Sequence, residues 1–419
     1  MSPTRHLSIV YFFTGNIQGG LGPFLATWLA QTKAWTPERI GWINTLVGLA
    51  ALLLNGPAGA LVDRLKLPRL LLGLACAAIF GGTALLFLAD GVPGVVAAHG
   101  TATLGGILVL PAATALTLGI VGRKAFPRQH GRNEAFNHAG ILASALMIAG
   151  GSVLIGPDAA LFVMAGMAVG AILATVTTPG DAWDAGRAQG EDEGEEDGKA
   201  GGAGRGGSGG GAGREEVSPL RAVLTDRRLL MLALVLALFS LGNGVMLSLI
   251  GQRVAAEGGS ATAWTAGYVV AAQLTMIPVA LWGGRLAERG GGKPLLVVAC
   301  AALLARALLS AWIADPFWLV PVQVLDGLGS GLIGVAVPVV VANASAGTGR
   351  TQTALGTVYA MQGVGGQLSH AFGGTLAGWF GWSGAFLALA APVGAALALA
   401  LLLPAGAAVE TEAEAEAEA

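Results

Sequence analysis

The sequence predicts an all-α membrane protein of about twelve transmembrane helices in two pseudo-symmetric six-helix bundles. Three observations carry this expectation: an apolar composition, a series of apolar runs of bilayer length, and an internal repeat. Of 419 residues, 54% are hydrophobic and 11% are charged, where a soluble domain carries roughly 25% charged residues. Such a chain cannot remain a water-soluble globule. The 67 glycines suit helices that approach closely through small residues in lipid. A net charge of −2 gives no reason to expect a nucleic-acid partner.

A bilayer core about 30 Å thick needs about 20 mostly apolar residues per helix. Runs of that kind, bounded by charge, Pro or Gly, fall at 7–30, 38–62, 68–89, 93–122, 132–155 and 158–178. A second set falls at 228–252, 262–286, 294–314, 316–345, 350–373 and 380–403. The segment before the first run is short and holds Arg5; the run itself is long enough to span, so it reads as a first helix and not a removable signal. Thr36, Pro37 and Glu38 define the start of the second helix through a cap, a first-turn proline and an acid at the positive end of the dipole. Residues 179–227 hold the acidic run Glu191–Asp197 and a Gly-rich stretch around 201–213, the composition of a solvated linker. The tail 404–419 ends in a polar Glu-Ala repeat. The expected domains are therefore 1–178, the linker 179–227, 228–403 and the tail. Cys76 and Cys300 sit in apolar runs without C-x-x-C spacing and read as small buried hydrophobes.

Lys and Arg set the expected orientation, because cytoplasmic loops retain positive charge. With the linker left aside, Arg5, the group Arg64, Lys66 and Arg69, the group Arg123, Lys124, Arg128 and Arg132, then Arg285, Arg289, Lys293 and Arg350 fall on one side. Lys33, Arg39 and Arg253 fall on the other. Both termini are expected in the cytoplasm, with the chain in the cell (inner) membrane.

The two halves repeat each other. Gly59-Ala-Leu-Val-Asp63-Arg64 returns 225 residues later as Gly284-Arg-Leu-Ala-Glu288-Arg289. Gly15-Asn16 matches Gly242-Asn243, and Ala75-Cys76-Ala77-Ala78 matches Ala299-Cys300-Ala301-Ala302. His99-Gly100 precedes Pro111 as Asp326-Gly327 precedes Pro338, and Gly131-Arg132 opens helix 5 as Gly349-Arg350 opens helix 11. Matches in this order describe a duplicated six-helix unit.

The loop after helix 2 resembles the signature of the major facilitator superfamily, roughly G-x-L-a-D-R-x-G-r-r: Gly59, Leu61, Asp63 and Arg64 match, Lys66 and Arg69 supply the basic end, and the usual Gly is absent from Leu65-Lys66-Leu67-Pro68. The resemblance covers essentially the whole chain, and within the superfamily the chain looks similar to the twelve-helix drug-efflux branch. It implies two bundles rocking about a central cavity lined by helices 1, 4, 7 and 10. It also implies that Asp63 docks at the start of helix 11 and stabilises the outward-open state; a carboxylate there gains about 0.3–1 kcal/mol from the helix dipole. The alternative is that Asp63 and Arg64 form a polar loop that only fixes topology. Glu288 and Arg289 are the repeat's counterparts.

An ionisable group at membrane depth costs about 2.5–3.5 kcal/mol on insertion scales, so each needs a reason. Asp326 lies about 16 Å into helix 10 and Arg306 about 13 Å from the Asp315 end of helix 9. At a shared depth they can pair, gaining on the order of 4 kcal/mol at 4 Å and an effective dielectric of 20. A paired Asp326 is a structural link or a substrate contact; an unpaired one is a protonation site. His99 occupies the repeat position of Asp326 and suits proton coupling, or is hydrogen-bonded structure. Glu134 and Arg132 at the start of helix 5 are shallow and read as a cytoplasmic gate or an anchor for the basic loops. Asn16, Gln18, Asn243, Gln323, Tyr359 and Gln362 either line a cavity or tie helices together. Pro111 and Pro338 are expected to kink helices 4 and 10.

No P-loop, metal-ligand cluster or nucleophile motif stands in the sequence, so no cofactor, no metal and no enzyme activity are expected. The reading is a secondary carrier that moves a small organic solute by alternating access as a single chain, exporting it against protons. The alternatives are uptake of a polar metabolite or organic anion, for which an unpaired Arg306 would argue, and a non-transporting membrane receptor or scaffold.

Overall fold

The computed structural model describes residues 2–17, 22–189, 226–290, 292–344 and 351–404, and among these residues the regular structure is entirely helical. The helices are α1 Pro3–Thr14, α2 Gly22–Lys33, α3 Pro37–Leu65, α4 Pro68–Leu88, α5 Gly91–Ile155, α6 Ala159–Thr177 and a short α7 Ala185–Gln189. They continue as α8 Arg227–Asn243, α9 Met246–Ala256, α10 Ala261–Gly290, α11 Gly292–Trp312, α12 Pro316–Ala344 and α13 Thr351–Leu402. Two of these are longer than any bilayer. α5 breaks at Gly122, where φ is 73°, and α13 breaks at Gly381, where φ is 67°; both angles are open to glycine and disfavoured for other residues.

Eight described stretches are long and apolar enough to cross a membrane. Two of them, Arg128–Thr177 and Ala354–Leu402, run 50 and 49 residues, about 75 Å of helix each and enough for two crossings. Adding α1 with α2, and α10, gives a total consistent with twelve. The outward faces are what lipid requires: Leu53, Leu88, Val153, Leu154 and Trp312 are each about four-fifths exposed.

Two expected spans prove to be pairs of helices. The run 7–30 is α1 and α2, separated from Gly15 onward, and 228–252 is α8 and α9, separated at Gly244 and Val245. In the second break the Val245 N–H leaves the helix ladder and donates to Ser369 Oγ at 3.0 Å. A neighbouring helix thereby satisfies the freed donor, as membranes demand. The Gly-Asn pairs that revealed the repeat thus mark matched helix breaks.

The first part of the expected linker is folded. Over 179–189 the chain is folded onto α5: Trp183 Nε1 donates to the Ala115 carbonyl at 3.1 Å, and Arg187 Nη1 donates to the Ile120 carbonyl at 3.2 Å. An indole and a guanidinium that satisfy helix carbonyls hold this stretch down. The acidic and Gly-rich stretches and the tail lie outside the described residues. At the far end, Asp226 caps α8 by accepting from the Arg228 and Leu229 N–H groups.

The chain forms two compact units, one of residues 1–25 with 50–216 and one of 26–49 with 217–419. In the first, a core around Leu72, Ile79, Ala112 and Ala168 includes Cys76. Gly140 meets the Phe12 carbonyl and Gly105 the Ala75 carbonyl so closely that a Cβ on either glycine would collide with its neighbour. In the second, a core around Leu236, Leu303 and Val337 includes Cys300. There Gly365 meets the Ala237 carbonyl and Gly329 packs on Ala299 and Leu303. Each contact of one unit returns in the other at the sequence offset of the repeat, so the duplication extends to backbone packing. Pro57 within α3 and Pro278 within α10 interrupt the corresponding helices about one turn apart in the repeat.

The second unit includes the segment 26–49, drawn from the first half of the sequence. Thr45 Oγ1 donates to the Gln367 carbonyl at 2.6 Å and accepts from the Ala371 N–H at 2.9 Å. Gln31 Oε1 accepts from the Thr262 hydroxyl at 2.6 Å, and Thr27 and Thr265 hydroxyls meet at 3.2 Å. Gly41 lies against the His370 carbonyl with no room for a side chain.

Candidate functional site

The second unit gathers a charged cluster inside its apolar core. Arg306 comes from α11, Gln323 and Asp326 from one face of α12 three residues apart, and Asn243 from the last position of α8, where the helix breaks. Arg306 Nη1 pairs with Asp326 Oδ1 at 3.0 Å and also donates to Asn243 Oδ1. Its Nη2 donates to Gln323 Oε1 at 2.7 Å. Asn243 Nδ2 donates to Asp326 Oδ1 at 3.2 Å, and Gln323 Nε2 is held by the Leu319 carbonyl at 3.0 Å. Arg306 Nε is buried without an acceptor among the described residues.

Exposure across the pair is uneven: the Arg306 side chain is 1% exposed and that of Asp326 17%. The guanidinium is therefore the enclosed half of the ion pair, and the carboxylate is its open edge. A buried pair of this kind carries a desolvation cost that the surrounding amides offset by fixing its geometry. Four of the residues expected to handle solute are thus one hydrogen-bonded unit.

The remaining candidates stand elsewhere. His99, nearly buried in α5, lies 3.4 Å from the Thr103 hydroxyl through Nδ1. Asn16 Nδ2 is buried without a partner among the described residues. Tyr359 is exposed and Gln362 half-buried, and neither makes a side-chain hydrogen bond among the described residues. Gln18 lies outside the described residues.

The profile of the Major Facilitator Superfamily matches residues 7–351 and 265–419. The chain belongs to that superfamily. Uncharacterized MFS-type transporters from two strains of Mycobacterium tuberculosis, CDC 1551 / Oshkosh and H37Rv, are 33% identical over 394 residues, 93% of this chain and 90% of theirs. Among solved structures, a point mutant of the nucleoside transporter NupG superposes with a TM-score of 0.72 at 14% identity, over 96% of this chain and 100% of that one. An inward-facing, unoccupied bacterial homolog of the human lysosomal transporter Spinster gives 0.70 at 14%, over 96% of each chain. At such identities these two structures speak for the fold. The superfamily gives the chain its general role, a multi-pass membrane transporter of small molecules.

The superfamily's signature residues Gly59, Leu61, Asp63 and Arg64, expected in a loop, form the last turns of α3, ahead of the short turn into α4. Asp63 is exposed and faces a cavity of about 570 Å³ together with Asn55, Gly59, Pro111 and Thr114. Arg64 is exposed. The side chains of Glu288 and Arg289, and the segment 345–350 that holds Arg350, lie outside the described residues. Near the start of the second part of α5, Glu134 accepts from Asn137 Nδ2 at 3.4 Å, and Arg132 stands 5.8 Å from the Phe136 ring centre.

Sequence reasoning missed a second polar network in the first unit. Gln129 Nε2 donates to Asn133 Oδ1 at 2.8 Å and to the Thr4 carbonyl at 3.2 Å, and Asn133 Nδ2 donates to the Thr117 hydroxyl at 3.3 Å. Its signal was present: Gln129, Asn133 and Asn137 stand at i, i+4 and i+8, one stripe of a helix face. Ser369 was missed as well, since nothing local marks a serine as the acceptor for a distant broken helix.

Proposed function

We propose that this chain is a proton-coupled secondary carrier that exports a small organic solute bearing hydrogen-bond donors, working as a single chain by alternating access. It lies in the cell membrane with both termini in the cytoplasm, the side on which most of its Lys and Arg fall. The supporting observation is the open edge of the buried pair. Asp326 Oδ2 has no partner among the described residues, and this carboxylate, not the enclosed Arg306, is the accessible charge. A hydroxyl, amine or amide donor on a solute fits it. An organic anion would need the guanidinium, whose charge Asp326 already neutralises.

In this reading the paired Asp326 contacts solute and the proton is carried by His99, an imidazole being the side chain suited to that task. Asp63 serves as a gating carboxylate, as in the resemblance that introduced it. The same donor-seeking edge supports a second reading, uptake of a hydrophilic metabolite, because the cluster's chemistry is indifferent to direction.

Proteoliposomes separate these readings. A panel of polar and drug-like compounds is assayed for solute counterflow, which needs binding and alternation, and for uptake driven by a pH gradient of either sign. Wild type is expected to do both. Asp326→Asn is expected to lose both, and His99→Gln to keep counterflow while losing the gradient-driven component. Counterflow that survives in Asp326→Asn places the solute site elsewhere. A folded protein that moves no compound in either direction supports the scaffold reading.

A further inference from the structure

A second, chemically different cavity lies in the first unit at the turn between α3 and α4. Lys66 adopts φ 52°, a left-handed conformation that reverses the chain after α3, and α4 then begins at Pro68 with no side-chain cap on its first turn. Uncapped N–H groups at a helix start favour an anion. Arg69 faces the last turn of α6: its Nε donates to the Thr175 carbonyl at 3.1 Å and its Nη2 to the Val176 carbonyl. Its Nη1 has no acceptor among the described residues.

From this basic end a cavity of about 510 Å³ runs over Leu70, Gly73, Leu74, Ile172 and Trp183. The Trp183 indole is fixed by its hydrogen bond to Ala115, so that wall is rigid. Among the described side chains that line the space, Lys66 and Arg69 carry the charge. Leu67, Leu70 and Leu74 are each more than half exposed, which opens the trough onto the apolar outer face of the bundle. A cationic end with donors, an apolar trough and a lateral opening to lipid together describe the shape of one amphiphile.

We infer that this cavity is a binding site for a single anionic phospholipid, with the phosphate at Lys66, Arg69 and the start of α4 and one acyl chain along Leu70, Gly73 and Leu74. Basic pockets between transmembrane helices take acidic headgroups in this way. With both termini in the cytoplasm the site faces the inner leaflet. It is separate from the Asp326 cluster and requires no particular solute.

The experiment uses the full chain in a neutral detergent, titrated with phosphatidylglycerol or with phosphatidylcholine of the same acyl chains and followed by native mass spectrometry. Phosphatidylglycerol is expected to be retained at about thirtyfold lower concentration, the preference that two nearby cations provide. Arg69 also caps α6, so the site is tested through two other positions. A Cβ at Gly73 meets nothing within 4 Å; Gly73→Trp therefore fills the trough with little effect on thermal stability and is expected to weaken phosphatidylglycerol binding severalfold. Lys66→Gln is expected to remove about fivefold of the headgroup preference. Excess inorganic phosphate is expected to leave the lipid in place. Equal retention of the two lipids, unchanged binding in Gly73→Trp, or displacement by phosphate alone would each overturn the inference.

Discussion

The two copies of the duplicated helix break have diverged in what they hold. In the first unit Asn16 follows the end of α1 with its amide nitrogen buried and unpartnered among the described residues. In the second, Asn243 ends α8 and bridges Arg306 to Asp326. The backbone event is the same, a Gly-Asn pair at which a membrane helix stops, and the packing around it is the same, with Gly140 on Phe12 mirrored by Gly365 on Ala237. Only the side chains differ. The two copies share the scaffold that carries a polar group into the bilayer, and around Asn243 that group joins an ion pair. The first unit's amides gather instead on α5, at Gln129 and Asn133.

The largest expected difference between the units follows from removing the charge. Arg306→Ala leaves the half-buried Asp326 without its counter-charge, and is expected to destabilise the second unit by about 3 kcal/mol, the low end of the range for a broken buried pair because the carboxylate is partly open, read as a fall in the thermal unfolding temperature in detergent. The double variant Arg306→Met with Asp326→Leu is expected to recover most of that stability while remaining inactive in counterflow. Failure to recover would mean that the pair holds the fold and not only the site.

Asn243→Ala removes hydrogen bonds to both charges and is expected to cost about 1.5–3 kcal/mol. A double-mutant cycle with Arg306→Met isolates the coupling. The glycine contacts come next and should not distinguish the halves: Gly140→Ala and Gly365→Ala each force two backbones apart, at about 1–3 kcal/mol. Unequal effects would show that one copy of the packing has loosened. The smallest effect belongs to Asn16→Ala, expected within about 0.5 kcal/mol because it breaks no hydrogen bond among the described residues.

Much of this was legible before any coordinates. Charge is so costly in a bilayer that counting residues from helix ends was enough to place Arg306 and Asp326 at one depth, and the repeat put Asn243 at a special position. The residues that complete the cluster were visible only as separate polar positions, because which faces of α8, α11 and α12 meet depends on packing between distant segments. The breaks at Gly15 and Gly244 went unread for a related reason: a hydropathy run registers apolar length and is blind to a helix that stops inside the membrane and resumes. Ser369, which receives the N–H freed at Val245, carries no local mark of that role. Trp183 and Arg187 were absorbed into the composition of the linker around them, although an indole and a guanidinium just past a bundle are natural partners for its last carbonyls.

The pairing of Arg306 with Asp326 has an electrical consequence. Moving one elementary charge through a membrane potential of 100 mV involves about 2.3 kcal/mol, and a site whose own charges cancel contributes nothing to that work as it changes its exposure from one face to the other. Whatever current accompanies a turnover then belongs to the passengers. In voltage-clamped membranes, the sign and size of the charge moved per solute would report the net charge of solute and coupling ion directly.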